Sequence, residues 1–141
     1  MTPINASLLR RLGAMLYDSL LVLALLMLAT IPFIAIRGGE IVEPSDNLAY
    51  QVCMLLVMYA FFTFFWCYGG QTLGMRAWRM RLETGDGGIP TFLTASLRFF
   101  LAIVSLLPLG LGVLWQLWDR DGLTLHDRWS GTRLVYYPKA D

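Results

Sequence analysis

Arg11 and Asp18 stand seven positions apart at the start of a run that is otherwise apolar from Leu12 to Ile36. At helical spacing this is close to two turns, so both charges share one face, roughly 10 Å apart along the axis. A carboxylate at the centre of a membrane costs about 2.5–3.5 kcal/mol on insertion scales, and less at shallower depth. Such a residue normally faces protein or water with a partner in reach. The candidate partners are Arg11, Arg98 and the polar segment Gly69–Arg76. Two uses follow: a polar clamp that fixes how helices pack, or a carboxylate that exchanges a proton or a cation. Spacing alone leaves both open.

A second charged cluster is His126-Asp127-Arg128, which holds the chain's only histidine. One His and one Asp fall short of a three- or four-ligand metal site, and no Cys or second His completes a zinc site. A catalytic role needs a nucleophile and an orienting group, and no spacing points to one. Helix capping or salt bridging is the expected use of Asp127. Gly69-Gly70-Gln71-Thr72-Leu73-Gly74 resembles a phosphate loop only superficially, because it lacks the Lys-Ser/Thr ending. It reads as a tight helix exit beside a membrane, with Gln71, Thr72, Arg76 and His126 as secondary polar candidates. Cys53 and Cys67 lie in one apolar stretch, roughly 21 Å apart if it is helical, too far to bridge or share a metal. They read as small hydrophobes.

The elements that must position these residues are apolar. Of 141 residues, 57% are hydrophobic and only 15% charged, against about 25% in a soluble domain. The excess is concentrated in three stretches rather than spread through a larger core. About 20 residues cross a bilayer core, so 12–36 and 48–68 are predicted full transmembrane helices. A cleavable signal peptide is the rival reading of the first. Its length, its carboxylate and the lack of a small-x-small cleavage site argue against it. The second carries an aromatic cluster, Phe61 to Tyr68, as expected where a helix meets headgroups.

The third stretch, 97–118, begins at Arg98 and is broken by Pro108, Gly110 and Gly112 into halves of about ten residues, each too short to span. It is expected to bend or re-enter at Pro108–Gly112; a kinked single crossing is the alternative. Trp78–Glu83 and Thr132–Tyr137 alternate like half-buried strands, and Thr84–Gly88 supplies a turn. If the third stretch returns, the strands meet as a ribbon. A lone two-stranded ribbon is marginal and must rest on helix ends or on the bilayer.

Orientation follows Lys and Arg in short loops. Only Arg37 lies in the first loop, while Arg10, Arg11, Arg76, Arg79, Arg81 and Arg98 fall before the first stretch or between the second and third. The N-terminus and the Gly69–Arg98 segment are therefore expected in the cytoplasm. The tail carries Arg120, Arg128, Arg133 and Lys139. A single crossing divides the positive charges almost evenly, whereas a return leaves all but Arg37 on one side. The expected fold is thus an α-helical membrane protein with two full transmembrane helices, a third segment bent or re-entrant, and a small cytoplasmic β-ribbon. It forms a single domain over 1–141, with cytoplasmic segments 1–11, 69–96 and 119–141. Net charge is +1, which gives no reason to expect nucleic-acid binding.

Taken in order, these motifs resemble the RDD family of bacterial membrane proteins, named for one arginine and two aspartates. Arg11, Asp18 and Asp127 match those residues. Gly69–Arg76 is similar to its Gly-x-Thr-x-Gly-Lys/Arg segment, with Met75 where a basic residue is common. Met80–Gly87 resembles its strand and Asp-Gly turn, Arg98 its basic position, and Leu125–Thr132 its His-Asp-Arg-x-x-Gly-Thr ending. The resemblance implies a bacterial integral membrane protein; with the charge distribution above, the expected location is the inner membrane with both ends cytoplasmic. For that family transport of unidentified ligands has been suggested, and some members have been linked to sodium/proton antiport.

Two functions are carried forward. The first is transport of a small ion or solute, with proton-coupled cation exchange as its specific form. Asp18 would carry the proton or cation, Arg11 would tune it, and Asp127 with Arg98 would form or gate the cytoplasmic mouth. A broken helix near a buried charge recurs in transporters. Two spans and a bent stretch are too few to line a pathway, so transport implies a homo-oligomer or a larger membrane partner. The second is a non-catalytic accessory or assembly protein, in which the Arg/Asp set is a structural clamp. No enzyme activity and no cofactor are expected.

Overall fold

The chain opens with a short strand, β1 (Ile4–Asn5), and passes at once into a long helix, α1 (Leu8–Ile36). In this computed structural model, residues 2–138 are described; Lys139, counted above with the basic tail, lies outside them. At 29 residues α1 is about 44 Å long, enough to cross a bilayer core of about 30 Å with turns to spare. Its buried residues are Arg11, Ala14, Asp18 and Val22. That three-and-four spacing is one helical stripe, so Arg11 and Asp18 both lie on the buried face of α1. Leu16, Leu20, Leu23, Met27, Leu28 and Ile31 point outward and are exposed. A water-soluble monomer does not present so long an apolar surface, whereas lipid covers it without cost.

After a loop, Asn47 caps α2 (Leu48–Gly69) by accepting the Tyr50 N–H at 3.0 Å. Gly70, at φ 67°, ends the helix in the left-handed conformation that glycine adopts freely. The next segment, expected as a tight helix exit followed by a strand and a turn, also holds a short helix. Thr72 caps a one-turn helix, α3 (Leu73–Ala77), ahead of β2 (Met80–Thr84). Thr91 caps α4 (Phe92–Leu106), which starts five residues before the expected Leu97 because its first turn, with Thr94 and Ser96, is only moderately apolar.

Pro108 cannot continue α4, and Leu109 and Gly110 both take positive φ, 55° and 77°. The chain turns there into α5 (Leu111–Leu114) and a 3₁₀ turn, at 103° to α4. The bend falls where the breakers place it, but the arms are unequal: α4 has 15 residues and the returning arm is far shorter. Gly112 packs directly on Ser105, where an added Cβ would overlap the Ser105 backbone. Helix α6 (Leu125–Ser130) and β3 (Thr132–Tyr136) complete the chain.

The strands form one antiparallel sheet in the order β1-β3-β2. Strand β3 pairs with β2 from Met80↔Tyr136 to Thr84↔Thr132, and with β1 through Ile4↔Tyr136 and Asn5↔Val135. The expected ribbon therefore exists and gains a third strand. β2 begins at Met80 rather than Trp78, which closes α3 instead.

The sheet also decides the path of the third stretch. β2 precedes α4 and β3 follows α6, yet they pair residue for residue. Hydrogen-bonded neighbours cannot lie on opposite faces of a bilayer, so the α4–α5 hairpin enters and leaves on one side. β1, before α1, is held on that same side. The core sits there too, where Trp66, Met75, Met80, Leu82, Phe99 and Leu134 join helix ends to the sheet.

Candidate functional site

Asp127 is the most connected side chain at this end of the molecule. Thr124-x-x-Asp127 is a capping box in which Thr124 Oγ1 accepts the Asp127 N–H and Asp127 Oδ2 accepts the Thr124 N–H, each at 3.3 Å. Arg11 Nη1 also donates to Oδ2, at 2.6 Å, and Arg98 Nη1 to Oδ1, at 2.5 Å. Arg11 Nε reaches the carbonyl of Ala6 at 3.2 Å, and Arg98 Nη1 reaches Thr132 Oγ1 at 2.8 Å. One carboxylate thus ties α1, α4, α6 and, through Thr132, β3.

The three charges are buried, with Asp127 wholly enclosed. Burial pushes the Asp127 carboxyl up, but Arg98 and Arg11 outweigh it and hold it well below the usual carboxylate range. It is ionised at neutral pH. Two cations share one anion, and Arg11 Nη2 and Arg98 Nε find no acceptor among the described residues. His126 Nδ1 lies 2.8 Å from Ser105 Oγ. Burial, and next the repulsion of Arg98, pushes the imidazole down to about 3, so it is neutral at pH 7. Arg128, third in the motif, turns outward to Asp119 at 2.7 Å and Asp121 at 2.9 Å.

Asp18 belongs to a separate arrangement. Its Oδ2 accepts the Thr72 hydroxyl at 2.5 Å and its Oδ1 accepts the Gly74 N–H at 2.8 Å. Thr72 Oγ1 in turn accepts the Met75 N–H at 3.2 Å. The carboxylate of α1 thereby supplies acceptors at the start of α3. Any Cβ at position 74 would overlap the Ala14 carbonyl and the Asp18 carboxylate. The expectation that Arg11 tunes Asp18 is corrected here. Arg11 shares its face but lies about two turns away and is hydrogen-bonded to Ala6 and Asp127, whereas the bonds of Asp18 go to Thr72 and Gly74. Of the partners considered for Asp18, the Gly69–Arg76 segment is the one that meets it.

A cavity of about 470 Å³ lies between α1, α2 and the α4–α5 hairpin. Its walls are mostly Leu, Met, Phe and Val, with Arg11, Asp18, Arg98 and His126 at the sheet end. Asp127 and Thr72 stand behind that wall, bonded to residues that form it. Gln71 and Arg76 lie elsewhere. Gln71 Nε2 donates to the Met80 carbonyl at 2.7 Å, and both residues border a separate surface depression. Thr124 and Ser105 were not anticipated, and Gly74 and Thr132 entered only as members of the Gly69–Arg76 and Leu125–Thr132 motifs. Thr124 had a readable signal, the three-residue spacing of a capping box, whereas Ser105 had none. Among the described residues no three His, Cys, Asp or Glu side chains gather as a metal site.

The sequence model of the RDD family matches residues 5–131, from β1 to the end of α6. The chain belongs to the RDD family. No curated protein and no solved structure matches it. Family membership and the outward-facing apolar helices make it an integral membrane protein. In this RDD chain the arginine and the two aspartates do not form one triad. The RDD arginine pairs with the second aspartate, and the first aspartate holds a helix start on the neighbouring segment.

Proposed function

We propose that this protein is a non-catalytic accessory or assembly component of the bacterial inner membrane, in which both Arg/Asp sets are structural clamps. One observation carries the reading: all four oxygens of Asp18 and Asp127 accept hydrogen bonds from inside the fold. A carboxylate engaged in this way fixes helices to one another, and each oxygen of Asp18 is held by a donor of the neighbouring segment. The sheet, the N-terminal segment and the described part of the tail lie in the cytoplasm on this reading, because every described Arg except Arg37 belongs to that end.

Proton-coupled cation exchange is the second reading, and the position of Asp18 on the cavity wall favours it. Two crossing helices and a hairpin do not enclose a pathway, so exchange requires a second copy or a larger partner against the exposed faces of α1 and α2. An enzyme reading has less support. Ser105 and His126 are in contact, but Ser105 is buried beneath Gly112, and an imidazole pushed down to about 3 is a poor base at neutral pH.

Everted vesicles or proteoliposomes carrying wild type, Asp18→Asn or Asp18→Ala separate the two. The clamp reading expects no cation-dependent proton movement, folded Asp18→Asn and poorly folded Asp18→Ala, with one stoichiometric partner copurifying. Proton movement driven by sodium, potassium or lithium, present in wild type and lost in folded Asp18→Asn, would replace it with exchange.

A further inference from the structure

Where α2 leaves the membrane, three arginines converge on one depression. It has a volume of about 610 Å³ and is bordered by Gly69, Gln71, Arg76, Arg79, Arg81 and Tyr137. No carboxylate borders it, and among the described residues none of the three guanidiniums lies in a salt bridge. Arg11, Arg98, Arg128 and Arg133 each have a carboxylate partner; Arg10, Arg37 and Arg120 also lack one among the described residues, but Arg76, Arg79 and Arg81 are gathered at one depression. Arg81 Nε is buried without an acceptor. Arg79 holds φ at 56°, a left-handed conformation unfavourable for a non-glycine residue. The Tyr137 N–H fixes it there by donating to the Arg79 carbonyl at 3.1 Å. The fold thus holds three uncompensated cations together at a local cost.

Their height relative to the membrane is set by α2. Gly69 is both the last residue of a 22-residue membrane helix and part of the rim. Such a helix is about 33 Å long, so its end lies where hydrocarbon gives way to headgroups. Tyr68 and Trp78 are exposed beside it, at 80% and 39%, as amphipathic rings are at that level. Forked guanidiniums suit the paired oxygens of a phosphate group.

We infer that this depression binds the phosphate of an anionic phospholipid headgroup from the leaflet that contains the α2 exit. Arg76, Arg79 and Arg81 supply the charge. Gln71 stands at the rim with its amide donated to the Met80 carbonyl, which leaves its own carbonyl to accept from a headgroup hydroxyl. The site does not depend on either reading of Asp18, since neither Asp18 nor Asp127 borders it.

The full-length protein in a neutral detergent provides the test. Thermal unfolding is followed while phosphatidylglycerol, phosphatidylcholine or inorganic phosphate is added, and retained lipid is counted by native mass spectrometry. The variants are Arg76→Gln/Arg79→Gln and, as a control, Arg128→Gln, an exposed arginine elsewhere. The expected result is selective stabilisation and retention of phosphatidylglycerol, weakened roughly tenfold or more in the double variant and unchanged in the control. The effect should also fall as salt is raised. Equal responses to the two lipids, or an unchanged response in a folded double variant, would overturn the site. A response to inorganic phosphate as large as that to phosphatidylglycerol would overturn the lipid assignment in favour of a free anion.

Discussion

The backbone N–H of Gly74 points at Asp18 Oδ1 from 2.8 Å, and position 74 has no room for a side chain. The closeness of α3 to α1 is what gives the first aspartate a partner. Gly74→Ala is therefore expected to force the two apart and cost about 1–3 kcal/mol, as overpacking does. Asp18→Asn keeps an oxygen for Gly74 and should cost less than Asp18→Ala. Unfolding midpoints of the three variants in detergent give the order, and a neutral Gly74→Ala would refute the contact.

Asp127 balances two buried guanidiniums, so its loss should exceed that of either partner. Removing one member of a buried pair costs about 3–5 kcal/mol, and Asp127→Leu strands both arginines at once. Arg98→Met leaves Arg11 and Asp127 matched one to one. Folded yield is expected to fall in the order wild type, Arg98→Met, Asp127→Leu. The reverse order for the two variants would mean that the clamp is not electrostatic.

Stability should decline in acid in two stages with opposite chemistry but the same sign. His126 is buried neutral, so its folded pKa is depressed from 6.5 to about 3. Its contribution is complete above pH 6.5 and is lost as pH falls toward 3, with a slope of up to about 1.4 kcal/mol per pH unit. Asp127 is also depressed, and its contribution is complete above an unfolded value of about 3.9 and lost below it. His126→Gln should flatten the profile between pH 6.5 and 3 while leaving the steeper loss below it. An unchanged profile between those limits would place the histidine in contact with water.

Because β1 and β3 are paired, the two ends of the described chain lie in one compartment. Single cysteines at Thr2 and Pro138, in a background lacking Cys53 and Cys67, should react with a membrane-impermeant thiol reagent from the same side. A cysteine at Ile41, exposed in the α1–α2 loop, should react from the other. Labelling of Thr2 and Pro138 from opposite sides would mean that the third stretch crosses.

The sequence made some of this legible and hid the rest for physical reasons. Both long helices follow from uninterrupted apolar runs, and the hairpin follows from Pro108 and Gly110, which leave the backbone no helical continuation. The β2–β3 pair is visible in its alternation. β1 is not, because two residues carry no period. α3 is hidden for a similar reason: five residues with a glycine among them look like a turn. The site splits in the same way. Arg11, Asp18, Arg98 and Asp127 draw attention as charges in or beside apolar stretches, but which arginine meets which aspartate depends on sheet closure and hairpin return. A backbone donor such as Gly74 leaves no trace in composition.

The order of the sheet constrains how the molecule is made. Its central strand follows every other described element in the chain, and both edge strands depend on it. While the ribosome is still producing the hairpin, β1 and β2 have no partner, and Arg11 waits for an aspartate not yet translated. The sheet and the Arg11–Asp127–Arg98 set can therefore close only once α6 and β3 have been made, whereas Asp18 can meet Thr72 and Gly74 before the hairpin is complete.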